Sequence, residues 1–172
     1  MSADSAVTGA GVELSLLVDL PPERLWELVT DVPGYGRWSP ECEHTAWLGG
    51  ATGRVGDRFA GRNRFGGGFV TSVVSVVTEL SRPEVFAWVV LDGSGEVDRP
   101  GSVWRYELAP GAGAGQTSLR HSFVHGPGET GLRVLARQDP AALDRRLAEL
   151  RHNMAASLAA MLDGERYREV PR

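Results

Sequence analysis

The clearest hydrophobic pattern lies near the end of the chain. Leu143, Leu147, Leu150, Met154, Leu158 and Met161 recur at helical spacing and fall within an arc of about 80°. Asp139 as N-cap, Pro140 at the first helical position and Gly164 past the end predict one helix over 139–164, about 36 Å long. Near the start, Val12, Leu14, Leu16 and Val18 alternate with Glu13, Ser15, Leu17 and Asp19, the pattern of a half-buried strand. Pro21 and Pro22 then open a short helix with Leu25, Trp26, Leu28 and Val29 on its apolar face, and Asp31-Val32-Pro33-Gly34 stops it. From 41 to 126 every apolar run is strand-length and every gap holds turn residues, which predicts about six antiparallel strands.

Strands first and a long helix last make an α+β chain: a curved antiparallel sheet of about seven strands wrapped around the C-terminal helix, with short helices after the first strand. A length of 172 residues fits a single domain over 1–172, its core spanning about 12–163, with flexible ends at 1–10 and 165–172. Hydrophobic residues make up 42% and charged residues 23%, an ordinary globular balance, and no apolar run is long enough for stable membrane insertion. All 18 basic residues are arginine, which excludes lysine Schiff-base chemistry. A net charge of −4 argues against nucleic acid as partner, and the single cysteine, Cys42, favours a reducing cytoplasm. Oligomeric state is open between monomer and homodimer.

Alternation assigns faces. Trp104, Tyr106 and Leu108 share one face of their strand against Arg105 and Glu107, and Leu119, His121, Phe123 and His125 oppose Arg120 and Ser122. Phe59 and Asn63 go with Val55. In 85–90 periodicity leaves open whether Phe86, Trp88 and Val90 or Val85, Ala87 and Val89 point inward. Asn63, His121 and His125 occupy apolar parity, where an unpaired polar group is costly. Each serves either a backbone group, a wet strand end or the polar part of a ligand; for His125, beside Gly126-Pro127-Gly128, the exposed strand end is the favoured reading.

Other motifs carry less. His121 and His125 lie about 13 Å apart on a strand and cannot share a metal ion. His152 falls opposite the helix stripe, and His44, on the parity of Cys42, Ala46 and Leu48, has no evident co-ligands. The glycine clusters at 66–68 and 111–115 precede strands, so hairpin turns explain them better than phosphate binding. Arg58, Arg62 and Arg64 form a basic row best read as a solvated outer face. No metal and no cofactor are expected.

Several local phrases stand out: Pro22, Trp26, Val29 and Asp31, Trp38-Ser39-Pro40, Gly56-Asp57-Arg58-Phe59, Gly61-Arg62-Asn63-Arg64, Pro83 with Phe86-Ala87-Trp88, and Trp104-Arg105-Tyr106-Glu107-Leu108. Together with the order of elements they resemble the START-like helix-grip (SRPBCC) superfamily, in its polyketide cyclase/dehydrase and lipid-transport branch. The resemblance implies an elongated apolar cavity between sheet and C-terminal helix that takes a hydrophobic, ring-containing or lipid-like small molecule. The expected lining is Trp38, Phe59, Asn63, Trp88, Trp104, Tyr106, His121, Phe123, Leu147, Leu150 and Met154. The alternative is a cyclase, aromatase or dehydratase using the same cavity, with His121, Tyr106 and Asn63 as catalytic candidates and Arg146, Asn153 and Ser157 flanking the helix stripe. A partner-binding module is the third reading.

Overall fold

The computed structural model describes residues 6–171. Strand β1 (Gly11–Val18) leads to helix α1 (Pro22–Val29), a single 3-10 turn and the short helix α2 (Tyr35–Trp38). Strands β2 (Cys42–Trp47), β3 (Arg58–Arg64), β4 (Val70–Ser81), β5 (Val85–Val90), β6 (Ser102–Pro110) and β7 (Thr117–His125) follow as an antiparallel meander. Helices α3 (Gly131–Gln138) and α4 (Ala142–Met161) and the short strand β8 (Tyr167–Glu169) complete the chain. The sheet has eight strands in the order β2-β3-β4-β5-β6-β7-β1-β8. The α+β architecture expected from the element order is therefore present.

Several boundaries differ from the pattern reading. Gly131–Gln138 forms its own helix, and Asp139 and Pro140 lie in the link to α4 instead of opening it. Asp139 does not cap α4, whose N-cap is Ala141 with no side-chain cap; its Oδ1 closes a local turn by accepting a hydrogen bond from the backbone N–H of Ala141 at 3.0 Å. Only Leu150, Met154, Leu158 and Met161 of the stripe are buried, while Leu143 and Leu147 stay half-buried at the N-terminal end. The segment 165–172, expected to be flexible, contributes β8, whose Tyr167–Glu169 pair with Leu16–Val18. The expected loose start is also partly ordered: Val7 is 0% exposed and Gly9 N–H bonds to the His125 carbonyl at 2.9 Å. Residues 1–5 and 172 of these expectations lie outside the described residues.

Strand β3 begins at Arg58, not Val55, which is 60% exposed in the preceding loop. Asp57 organises that loop: its Oδ2 accepts backbone N–H bonds from Arg54 at 2.9 Å and from Thr52 and Gly53 at 3.0 Å, which hold its carboxyl below the usual carboxylate range. In β2 a bulge between Cys42 and His44 puts these two on opposite faces, so His44 does not share the parity expected for it with Cys42. Thr45 points inward and donates its hydroxyl proton to the Val32 carbonyl at 2.5 Å, while His44 is exposed.

The core sits between the inner sheet face and the helices. Leu25, Trp26 and Val29 of α1 and the buried α4 residues pack with Leu16, Phe59, Phe86, Trp88, Tyr106 and Leu119. This settles the parity in β5: Phe86 and Trp88 face the helices, while Val89 joins Val76 and Leu91 in a small cluster apart from the main core. The face bearing Arg105 and Glu107 carries a charge network. Arg105 bridges Glu79 and Glu107, and Arg120 bridges Glu107 and Glu13. In the basic row near β3, Arg62 and Arg64 share one carboxylate, that of Glu43.

Candidate functional site

Cross-strand register decides which inner-face side chains meet. Trp88 of β5 lies opposite Trp104 of β6, and Trp104 opposite Phe123 of β7; the next inward row is Phe86, Tyr106 and His121. The two rows form a slab of rings. Trp88 and Trp104 stack at 6.1 Å with 4° between their planes, and Phe123 meets Trp104 edge-on at 4.8 Å. Tyr106 and His121 stack at 3.9 Å and 11°. Phe59 meets Trp88 at 6.0 Å, and Tyr35, from α2, meets it at 5.6 Å. The Tyr35 hydroxyl is satisfied, donating to the Val29 carbonyl at 2.6 Å.

Within this slab the polar atoms are unevenly served. Nδ1 of His121 lies 3.1 Å from the Arg105 carbonyl, so it carries the proton and leaves the lone pair on Nε2. Burial depresses the imidazole to about 4, against the opposing effect of that hydrogen bond, and His121 is neutral near pH 7. Neither Nε2 of His121 nor the Tyr106 hydroxyl has a partner among the described residues. Both side chains are buried, His121 being 4% and Tyr106 5% exposed. Burial holds the Tyr106 phenol well above its ordinary range, keeping it a donor.

His125, two positions beyond Phe123, differs from its expected exposed-end role. It is only 7% exposed, packs edge-on against Phe123 at 4.7 Å, and both its ring nitrogens are enclosed without a hydrogen-bond partner. Burial, with Arg146 and Arg133 nearby, depresses it to about 4. The glycine after it explains the tight exit of β7: a Cβ on Gly126 would meet the Pro100 carbonyl oxygen at 2.2 Å.

The remaining expected residues divide. Leu150 and Met154 are buried in the same core and the half-buried Trp38 packs against it, whereas Asn63 and Leu147 are half-buried outside it. Arg146 and Asn153 converge on Glu41: Arg146 through both terminal nitrogens, Nη2 at 2.9 Å, and Asn153 through Nδ2 at 2.9 Å. Arg146 also lies 5.1 Å over the Phe65 ring, so it joins α4 to the β2 entry and to the β3–β4 hairpin. Ser157 turns back onto its own helix, donating to the Asn153 carbonyl at 2.8 Å. Glu41 was missed because nothing in its local pattern signals a partner more than a hundred positions away.

Two surface depressions lie elsewhere. One of about 420 Å³ is formed by the loop around Gly49 to Arg58, and one of about 340 Å³ lies between α4 and β1/β8, lined by Leu14, Leu16, Ala155 and Ala159. Neither includes Trp88, Trp104, Tyr106 or His121. Among the described residues no cluster of three or more His, Cys, Asp or Glu side chains could hold a metal ion, and no helix is long and apolar enough to cross a membrane.

Solved structures share this architecture. The Zhui aromatase/cyclase from Streptomyces sp. R1128 superposes with a TM-score of 0.61 at 22% identity, covering 90% of this chain and 92% of that one. The polyketide-cyclase-like protein Cgl2372 from Corynebacterium glutamicum gives 0.56 at 24% identity, covering 89% and 86%. The di-domain aromatase/cyclase StfQ from the steffimycin biosynthetic pathway gives 0.66 at 13% identity, covering 91% of this chain and 50% of that one. At these identities the likeness establishes the helix-grip fold alone. No curated protein matches the sequence. The family model described as polyketide cyclase / dehydrase and lipid transport matches residues 10–159, and the chain belongs to that family.

Proposed function

We propose that this protein binds a hydrophobic, ring-containing small molecule between the inner sheet face and α4, in the cytoplasm. The supporting observation is the pairing of the unpartnered Tyr106 hydroxyl and His121 Nε2 within a wall of aromatic rings. Rings give a flat ligand area to stack on, and two unserved polar atoms fix its orientation. Because the rings touch one another, entry requires the half-buried Trp104 to swing away from Trp88. Leu150 and Met154 form the opposite wall, with Trp38, Asn63 and Leu147 at its rim.

Titration with a hydroxylated biphenyl, followed by quenching of tryptophan fluorescence, tests this. Tyr106→Phe should weaken binding about five- to tenfold, the worth of one hydrogen bond, and leave the melting temperature of the free protein unchanged or higher. Absence of saturable binding to the wild type would overturn the proposal.

The tautomer of His121 favours a second reading, a cyclase or dehydratase acting on a polyketide-like substrate. A neutral imidazole with a free Nε2 lone pair can take a proton from carbon beside a carbonyl, while the Tyr106 hydroxyl donates to that carbonyl oxygen as enolate charge develops. The enolate carbon then attacks a second carbonyl, forming the carbon–carbon bond as its π bond opens, and the resulting alkoxide takes the proton back from the His121 imidazolium. With a substrate in hand, His121→Ala should abolish turnover while retaining binding; unchanged turnover would eliminate this reading.

A further inference from the structure

Two polar stations lie on the same face of β7, separated by an aromatic one. Tyr106 and His121 form the first, Trp88, Trp104 and Phe123 the slab between, and His125 the second, opposite Ser102. His121 and His125 are four residues apart, about 13 Å along the strand at about 3.3 Å per residue. The second station is the unusual one. An imidazole always presents one donor and one acceptor, whichever tautomer it takes. Enclosing both without partners destabilises the free protein. The other enclosed, unpartnered side-chain atom among the described residues is Oγ1 of Thr130, at the N-cap of α3.

A purely structural role gives no reason for a histidine here. A phenylalanine would continue the edge-on contact with Phe123 and leave nothing unsatisfied. Arg146 and Arg133 lie close enough to oppose protonation, so the ring meets its partner as a neutral group. A neutral donor-plus-acceptor is matched by a hydroxyl, which can accept from N–H and donate to the bare nitrogen.

Resting on the interior-binding reading above, we propose that His125 is a specificity-determining residue that holds a hydroxyl at the far end of an elongated, uncharged aromatic ligand, whose near end meets Tyr106 and His121. The ligand class is then a planar molecule with oxygen functions at both ends and its ring system against Trp104 and Phe123. A ligand with only one polar end leaves His125 as unsatisfied as it is in the free protein.

The test compares the para,para′ biphenyl diol with para-phenylphenol, by calorimetry on the full chain. In the wild type the diol should bind about five- to tenfold more tightly, the share of a second hydrogen bond. In His125→Phe that ratio should fall to about one, while the melting temperature of the free protein rises. A ratio unchanged in His125→Phe, with binding retained, overturns this inference and leaves the interior reading standing. Failure of both phenols to bind the wild type overturns the interior reading and this inference with it. A readout without substitution is the ring ¹⁵N resonances of His125, which should shift by several ppm on saturation with the diol; saturation without a shift also overturns it.

Discussion

Acidification from pH 7 to pH 5 acts on this protein chiefly through two imidazoles. His121 and His125 are both moved from 6.5 to about 4, mainly by burial, and their rings are 4% and 7% exposed. In the unfolded chain each titrates near its ordinary value, so between about pH 6.5 and 4 the unfolded state binds more protons than the folded one. Stability therefore rises with pH across that window and is lost as pH falls through it. Integrating the linkage relation from pH 7 to pH 5 gives a loss of about 1.8 kcal/mol per histidine, or about 3.6 kcal/mol for the pair. The carboxylates held low, such as Glu79 beside Arg105 and Asp139 beside Arg145, act in the same direction, with most of their effect below about pH 5, since unfolded carboxyls are half-protonated only near pH 4. Urea unfolding at pH 7, 6 and 5, followed by tryptophan fluorescence, measures the slope in the window that belongs to the histidines. His125→Phe should remove about half of it. A stability that stays flat between pH 6.5 and 5, or a slope unaffected by that substitution, would refute the reasoning.

Two further substitutions probe the packing around the site. Trp88→Ala removes the ring that meets Tyr35, Phe59, Phe86, Trp104 and Tyr106, and should cost about 3–5 kcal/mol in urea unfolding, a large part of a typical total stability. Glu41→Ala leaves Arg146, whose side chain is 20% exposed, with Glu149 alone as carboxylate partner and frees Asn153, and should cost about 1–3 kcal/mol; a double-mutant cycle with Arg146→Ala should show the two losses to be non-additive.

The sequence by itself determined the elements and most of their faces. Strand periodicity placed Trp104, Tyr106, His121 and Phe123 on one side because side chains on a strand alternate strictly, and the amphipathic C-terminal stripe required a sheet to lie on. Where local pattern was ambiguous, tertiary structure decided. The continuous apolar run of β5 has no alternation to read, so only packing against Trp26 and Phe59 selected Phe86 and Trp88 for the inner face. The bulge that turns Thr45 inward is set by pairing with β3, and the separate helix α3 by what Gly131–Gln138 meets in space. The largest revision concerns His125. Its neighbours in sequence, glycine and proline, signal an exposed turn, yet the pairing of β7 with β6 and the packing of Gly126 against Pro100 bury it. Whether a polar side chain is satisfied depends on groups brought from elsewhere in the chain. That is why the donor to the Arg105 carbonyl, the Glu41 clasp and the orphaned imidazole could be recognised only in three dimensions.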